Sequence, residues 1–253
     1  MPELPEVKIM TERLSILKNK KLSTVVITKN YIHKLKNKNK IKKNVYVLDV
    51  YNIGQRIFVK FDSGYTLIFA PGMTGNISYY NSNYDIVEFK LFNNKYMYIN
   101  DIRKIGRLYI MKTKNIPLYI NKNLGYDPFY HKKMEFQEFY DKFVRPRINS
   151  RQVLALKLLD DRIFAGIGNY IRAEMIYDTK IDPFCIFGDL GKPLIKKLFL
   201  SFRKIVYKSY LYQKGKSPFE FNAYGRKDKK NIKRIVLNYR TFWYDPKRIK
   251  YKC

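Results

Sequence analysis

Along the first seventeen residues Val7, Met10, Leu14 and Leu17 recur every three or four positions. That period belongs to a helix with one apolar stripe turned to a core, and Pro2 at its start needs no backbone donor there. From residue 23 the period shortens. Runs at 23–28, 45–51, 56–61, 66–69, 86–92, 96–99 and 108–111 are rich in β-branched and aromatic residues and are broken by Asn, Gly and Asp turns, which predicts a β-sandwich or barrel. Residues 34–43, almost wholly Lys and Asn, read as a solvated loop and are assigned no site. Asn121, Leu124, Gly125, Asp127 and Pro128 then mark a change of texture. Beyond them helical patterns cover 134–143, 152–161, 170–179 and 194–212, and two strand-like runs follow at 232–237 and 241–244. No internal repeat is visible.

Composition narrows the function classes. With 46% apolar and 16% aromatic residues among 253, the chain can build a large core, so a disordered basic tail is excluded. No apolar run approaches the ~20 residues of a membrane span. The first residues hold no basic segment followed by an apolar stretch, so a secretory signal is not expected and the protein is expected to stay inside the cell. Lys+Arg total 51 against 21 Asp+Glu, a formal charge of +30. Part of the Lys, Asn, Ile and Tyr bias fits an A/T-rich genome, yet an excess of this size attracts polyanions, which makes nucleic acid the leading partner. Cys185 and Cys253 lie 68 positions apart and are not expected to form a disulfide framework; with only His33 and His131 beside them, a zinc cluster is not expected either.

Three stretches can carry chemistry. In Met1-Pro2-Glu3-Leu4-Pro5-Glu6-Val7, Pro and Glu suit a first helical turn and the positive end of its dipole. The same stretch reads otherwise if Met1 is removed. Pro2 then offers a secondary amine of lower basicity than Lys, able to attack a sugar C1′ and form an iminium, with Glu3 beside it to move a proton. In residues 158–170 Gly166 and Gly168 fit equally a tight turn between helices or a backbone that approaches a phosphate, with Asn169 hydrogen-bonding to it. In residues 238–246 the aromatic strand fits packing, while Arg240 beside a turn can grip a phosphate with two N–H groups.

Together these stretches resemble the formamidopyrimidine-DNA glycosylase/endonuclease VIII family over essentially the full chain. The opening motif is similar to the family's N-terminus, Phe164-Ala165-Gly166-Ile167-Gly168-Asn169 to its helix-two-turn-helix, and residues 239–246 to its terminal finger. Smaller collinear matches are Gly72-Met73-Thr74-Gly75, Asp101-Ile102-Arg103-Lys104-Ile105-Gly106, Leu124-Gly125-Tyr126-Asp127-Pro128, Ile181-Asp182-Pro183 and Tyr224-Gly225-Arg226. The resemblance implies an α+β fold: an N-terminal helix with a two-sheet β-sandwich over 1–120, a linker over 121–132, a helical domain with the helix-two-turn-helix over 133–222, and a β-hairpin finger over 223–253. It implies a bifunctional glycosylase and AP lyase of base-excision repair, with damaged DNA as partner, a monomer, no membrane association, and no cofactor or metal. Pro2 would be the nucleophile, Glu3 the general acid and Glu6 a nearby helper. Asn169 would clamp a phosphate with Arg240, which also serves elimination, while Arg56 and Arg151 would contact DNA. Met73, Arg103 and Ile105 would fill the gap left by a flipped nucleotide.

Departures from the family pattern refine this. The finger lacks the four cysteines of zinc-bearing members and has Asp245 and Arg248 where the last pair would fall, so Phe242, Trp243 and Tyr244 are expected to hold it by packing. Gln55 stands where the family usually has Lys after Gly, Ala70 where it has a polar residue, and Ile105 where it has Phe. Residues 213–223 are shorter than the segment that caps 8-oxoguanine in one branch, which points to oxidised pyrimidines, hydantoins and formamidopyrimidines as substrates. The alternatives are a catalytically silent nucleic-acid-binding protein of this fold and a basic packaging protein.

Overall fold

The computed structural model describes residues 2–28 and 35–253. Met1, His33 and Lys34, which entered the sequence expectations, lie outside the described residues. The chain divides into two compact units, Met1–Lys122 and Asn123–Cys253.

In the first unit helix α1 (Leu4–Leu14) is continued by a 3-10 turn at Ser15–Leu17, and Val7, Leu14 and Leu17 are buried along its apolar stripe. The strands follow as β1 (Lys21–Ile27), β2 (Lys43–Ile53), β3 (Arg56–Phe61), β4 (Tyr65–Ala70), β5 (Gly75–Ser78), β6 (Asp85–Leu91), β7 (Tyr96–Asp101) and β8 (Arg107–Lys112). Their hydrogen bonding forms one antiparallel sheet in the order β5-β7-β6-β1-β2-β3-β4-β8. The expected two layers are thus halves of a continuous sheet. Long β2 joins them, pairing near its start with β1 (Leu22 with Val45) and farther on with β3 (Val50 with Val59). Val87, Phe89 and Ile99 from one half and Val59, Leu67 and Phe69 from the other share a single core with α1. Strand β5 escaped the sequence pattern because it is four residues long and buries only Ile77 beyond its first glycine. The Lys/Asn segment contains a 3-10 turn at Lys38–Ile41 and buries Ile41 in that core. Helix α2 (Ile116–Asn123) occupies the beginning of the stretch expected to be linker.

The second unit begins with residues that are integral to it. The Gly125 N–H donates to Asp161 O at 2.7 Å, Tyr126 bridges Phe164 and is fully buried, and a Cβ at Gly125 would stand 2.4 Å from the Ile163 carbonyl oxygen. Helix α3 (Phe136–Phe139) runs into a π-turn at Tyr140–Val144, and α4 (Leu154–Lys157), α5 (Asn169–Thr179) and α6 (Lys192–Gln213) follow. Helix α4 is shorter than the ten-residue pattern because Asp160 accepts from the Arg162 backbone N–H at 3.1 Å, turning the chain. Strands β9 (Lys233–Leu237) and β10 (Arg240–Tyr244) make the hairpin finger.

One sequence expectation is corrected here. Cys185 and Cys253 are joined by a disulfide, their Cα atoms 5.5 Å apart. Separation along the chain concealed this pairing, because the tail returns to the body of the unit: Ile181 bridges Tyr251, and the Asp182 N–H donates to Tyr251 O at 2.9 Å.

Candidate active site and nucleic-acid interface

The start of the first unit is held from two sides. Glu3, only 3% exposed, is the N-cap of α1, and its backbone N–H donates to Glu6 Oε2 at 2.8 Å. Glu6 thereby satisfies a donor that the helix leaves free. From the turn between β2 and β3, Gln55 Nε2 donates to the Pro2 carbonyl at 2.9 Å. Gly54 makes that reach feasible, since its φ of +55° suits a residue without Cβ. Pro2, Glu3 and Glu6 therefore stand together, and Gln55 joins them. Arg56 opens β3 beside this turn and is half-buried.

Met73, Arg103 and Ile105 come together on two adjoining loops. The Arg103 guanidinium lies 3.3 Å from the Met73 sulfur, and Met73 and Ile105 are 48% and 45% exposed. Beneath them Asp101 is fully buried. It accepts the Gly106 N–H at 2.6 Å and the Thr74 hydroxyl, while the Thr74 oxygen accepts the Arg103 N–H at 3.0 Å. Asp101 thus pins both loops from below. Gly72 is required where they meet: its φ is +62° and an added Cβ would press on Gly106 N at 3.0 Å. Asp101 received no role from sequence reasoning, although a lone carboxylate ending an apolar strand was a readable signal.

In the second unit Asn169 is the first residue of α5, and Arg172 one turn later is fully buried. Arg172 donates to Asn169 Oδ1 at 3.3 Å, to Ala155 O at 3.0 Å and to Thr241 O at 3.1 Å, and its guanidinium lies 4.8 Å from the Phe242 ring centroid. One cation thereby couples α4, the Asn169 turn and the finger strand that starts with Arg240. A buried charge is tolerable when it is hydrogen-bonded in this way. Sequence reasoning missed it; its signal is an Arg flanked by Ile171 and Ala173 one turn after Asn169.

The finger is held by aromatic packing. Phe242 is fully buried, Trp243 packs with Ala173, Ala223 and Tyr177, and Tyr244 meets Phe184 edge-on at 5.5 Å. Glu174 holds its entry, accepting the N–H groups of Asn222, Ala223 and Tyr224 at 2.8 to 2.9 Å. Among the described residues no group of three or more His, Cys, Asp or Glu is placed to hold a metal. Arg240, exposed at the hairpin tip, lines a cleft of about 300 Å³ with Gln152, Asp160, Arg162 and Asn238. Burial works to raise the Asp160 carboxyl, but hydrogen bonds from Arg162 and Lys157 prevail and bring it down to about 2. Arg151 is exposed immediately before the cleft residue Gln152.

Comparison with known proteins agrees with this arrangement. Residues 1–108 match the formamidopyrimidine-DNA glycosylase N-terminal domain. A formamidopyrimidine-DNA glycosylase of Rickettsia felis is 27% identical over 221 residues, covering 83% of this chain and 77% of that protein. One from Rickettsia massiliae is 29% identical over 221 residues, covering 83% and 76%. In fold, the crystal structure of MutM (Fpg) from Thermus thermophilus superposes with a TM-score of 0.80 at 22% identity over 100% of both chains. Lactococcus lactis Fpg bound to DNA containing an AP site gives 0.80 at 19% identity, covering 98% of this chain and 99% of that one. The domain match over residues 1–108, the relatives spanning both units and the shared fold lead to one conclusion: the chain is similar to formamidopyrimidine-DNA glycosylases along both of its units.

Proposed function

We propose that this protein is a base-excision-repair DNA glycosylase with AP lyase activity, working through Pro2. The observation that carries the reading is the anchored N-terminus, with Pro2 tied through its carbonyl to Gln55 and followed by a buried Glu3 braced by Glu6. Fixing the carbonyl orients the neighbouring nitrogen without consuming it, which is what a nucleophile requires. After loss of Met1, the Pro2 amine bonds to C1′ of the damaged nucleotide and the glycosidic bond breaks, the base leaving with a proton. Glu3 protonates the ring oxygen as the sugar opens to the iminium. Removal of a C2′ proton expels the 3′ phosphate, a second elimination expels the 5′ phosphate, and water releases the sugar remnant and regenerates the amine. Asn169 and Arg240 hold phosphate, Arg151 and Arg56 contact the strand, and Met73, Arg103 and Ile105 occupy the vacated stack.

Oxidised pyrimidines, hydantoins and formamidopyrimidines are the substrates this reading favours. The segment after α6 supports it: between Gln213 and Asn222 the chain is short, Phe219 and Phe221 pack against each other at 5.4 Å, and Glu174 pins Asn222. Little chain is left to form a cap over an oxidised purine. Borohydride added to the untagged protein with abasic-site DNA should yield a covalent complex, and Pro2→Gly or an N-terminal extension should lose it. An untrappable parent protein refutes the catalytic reading in favour of a silent DNA binder. Faster removal of 8-oxoguanine opposite cytosine than of thymine glycol refutes the substrate assignment.

A further inference from the structure

The tip of the finger carries an unusual residue. Leu237 pairs with Arg240, so the hairpin turns through two residues, Asn238 and Tyr239, both with positive φ (47° and 61°). A two-residue turn of this type favours Gly in second place, and Asn tolerates the first. A bulky side chain in that second place is strained. Tyr239 has no compensation from packing, since it is 98% exposed, whereas the hairpin's packing is done by Phe242, Trp243 and Tyr244. A residue that costs stability and buries nothing in the free protein is explained by a partner that covers it. Its surroundings indicate what that partner is. Arg240 is next in sequence, Arg162 and Gln152 line the same cleft, and Lys233 and Arg234 are exposed on the adjoining strand, in a chain of net charge +30.

Resting on the glycosylase reading, we infer that Tyr239 is a DNA-contacting residue whose ring stacks on a base displaced from the helix next to the phosphate held by Arg240. Aromatic stacking beside a cationic phosphate contact is the usual way to hold an unstacked nucleotide, and it is tolerant of sequence because every base has a π-face. The strained turn presents the ring at the foremost point of the hairpin. A protein partner at this tip would leave DNA affinity independent of the ring.

The test measures Tyr239→Gly and Tyr239→Phe on a duplex carrying a non-cleavable tetrahydrofuran site. Tyr239→Gly should melt at a higher temperature than the parent because the turn is relieved, yet bind at least about fivefold more weakly, with an unchanged slope of log affinity against log salt. Tyr239→Phe should bind as the parent does. Parental affinity in Tyr239→Gly overturns the proposal, as does a loss accompanied by a flatter salt slope, which would mean that the turn acts only through Arg240. Borohydride trapping of the parent, run in parallel, separates the two readings: failure to trap refutes the catalytic one and leaves the binding result to judge Tyr239.

Discussion

Gln55 shows how a residue acquires a role that its type does not announce. Where the sequence resemblance leads to an expected Lys, Gln55 looks like a loss of charge, but its amide spans 53 positions to hold the Pro2 carbonyl at 2.9 Å. Gln55→Ala should leave duplex affinity near that of the parent and slow borohydride trapping by roughly tenfold or more, because a nucleophile displaced by a fraction of an ångström loses its attack geometry. A proportional fall in affinity would make Gln55 a DNA contact instead. Arg172 acts at the same scale. Arg172→Met keeps its length but leaves the carbonyls of Ala155 and Thr241 without their donor. The expected cost is on the order of 3 kcal/mol in urea unfolding, with DNA affinity falling as Asn169 and the finger lose their common tether.

Among the elements, α1 and the strands other than β5 were legible because each satisfies a local rule: a three-to-four period for the helix, short β-branched runs closed by turns for the sheet. Helix α4 was overestimated, since Asp160 ends it by capturing the Arg162 N–H, a local competition that periodicity does not register. The finger forms the expected hairpin, with Phe242, Trp243 and Tyr244 buried. Its stability is concentrated in a few rings. Phe242→Ala, which removes a fully buried ring stacked on Tyr244 and facing Arg172, should destabilise the second unit by about 3–5 kcal/mol in urea or thermal unfolding.

For the whole molecule, two half-buried groups shape the response to acid. Burial, followed by the charge of Lys142, holds His131 down to about 4, with its ring among Tyr126, Tyr130 and Phe143. The unfolded chain therefore takes up this proton first. The contribution of His131 is complete above its ordinary value of 6.5 and is lost as pH falls towards 4, and Asp160 adds a lower limb between 3.8 and about 2. Urea midpoints should decline from pH 7 to 4.5, and His131→Phe should flatten that decline; an unchanged slope would place the acid sensitivity elsewhere. The overall charge acts at this scale too. Damaged-duplex affinity should fall steeply with salt, and Arg240→Ala should reduce the slope by about one.

The order of residues by itself determined most of the elements, the excess of positive charge and the collinear motifs that resemble formamidopyrimidine-DNA glycosylases, because each is written in neighbours along the chain or in a simple sum. Only the tertiary structure decided what holds those motifs in place: Gln55 on Pro2, Asp101 beneath the Met73 and Arg103 loops, Arg172 between Asn169 and the finger, and Cys185 bonded to Cys253. These partners lie up to 69 positions apart. Such pairings follow from how the sheet and helices pack, a result of burying the whole core at once, and no short window of sequence contains it.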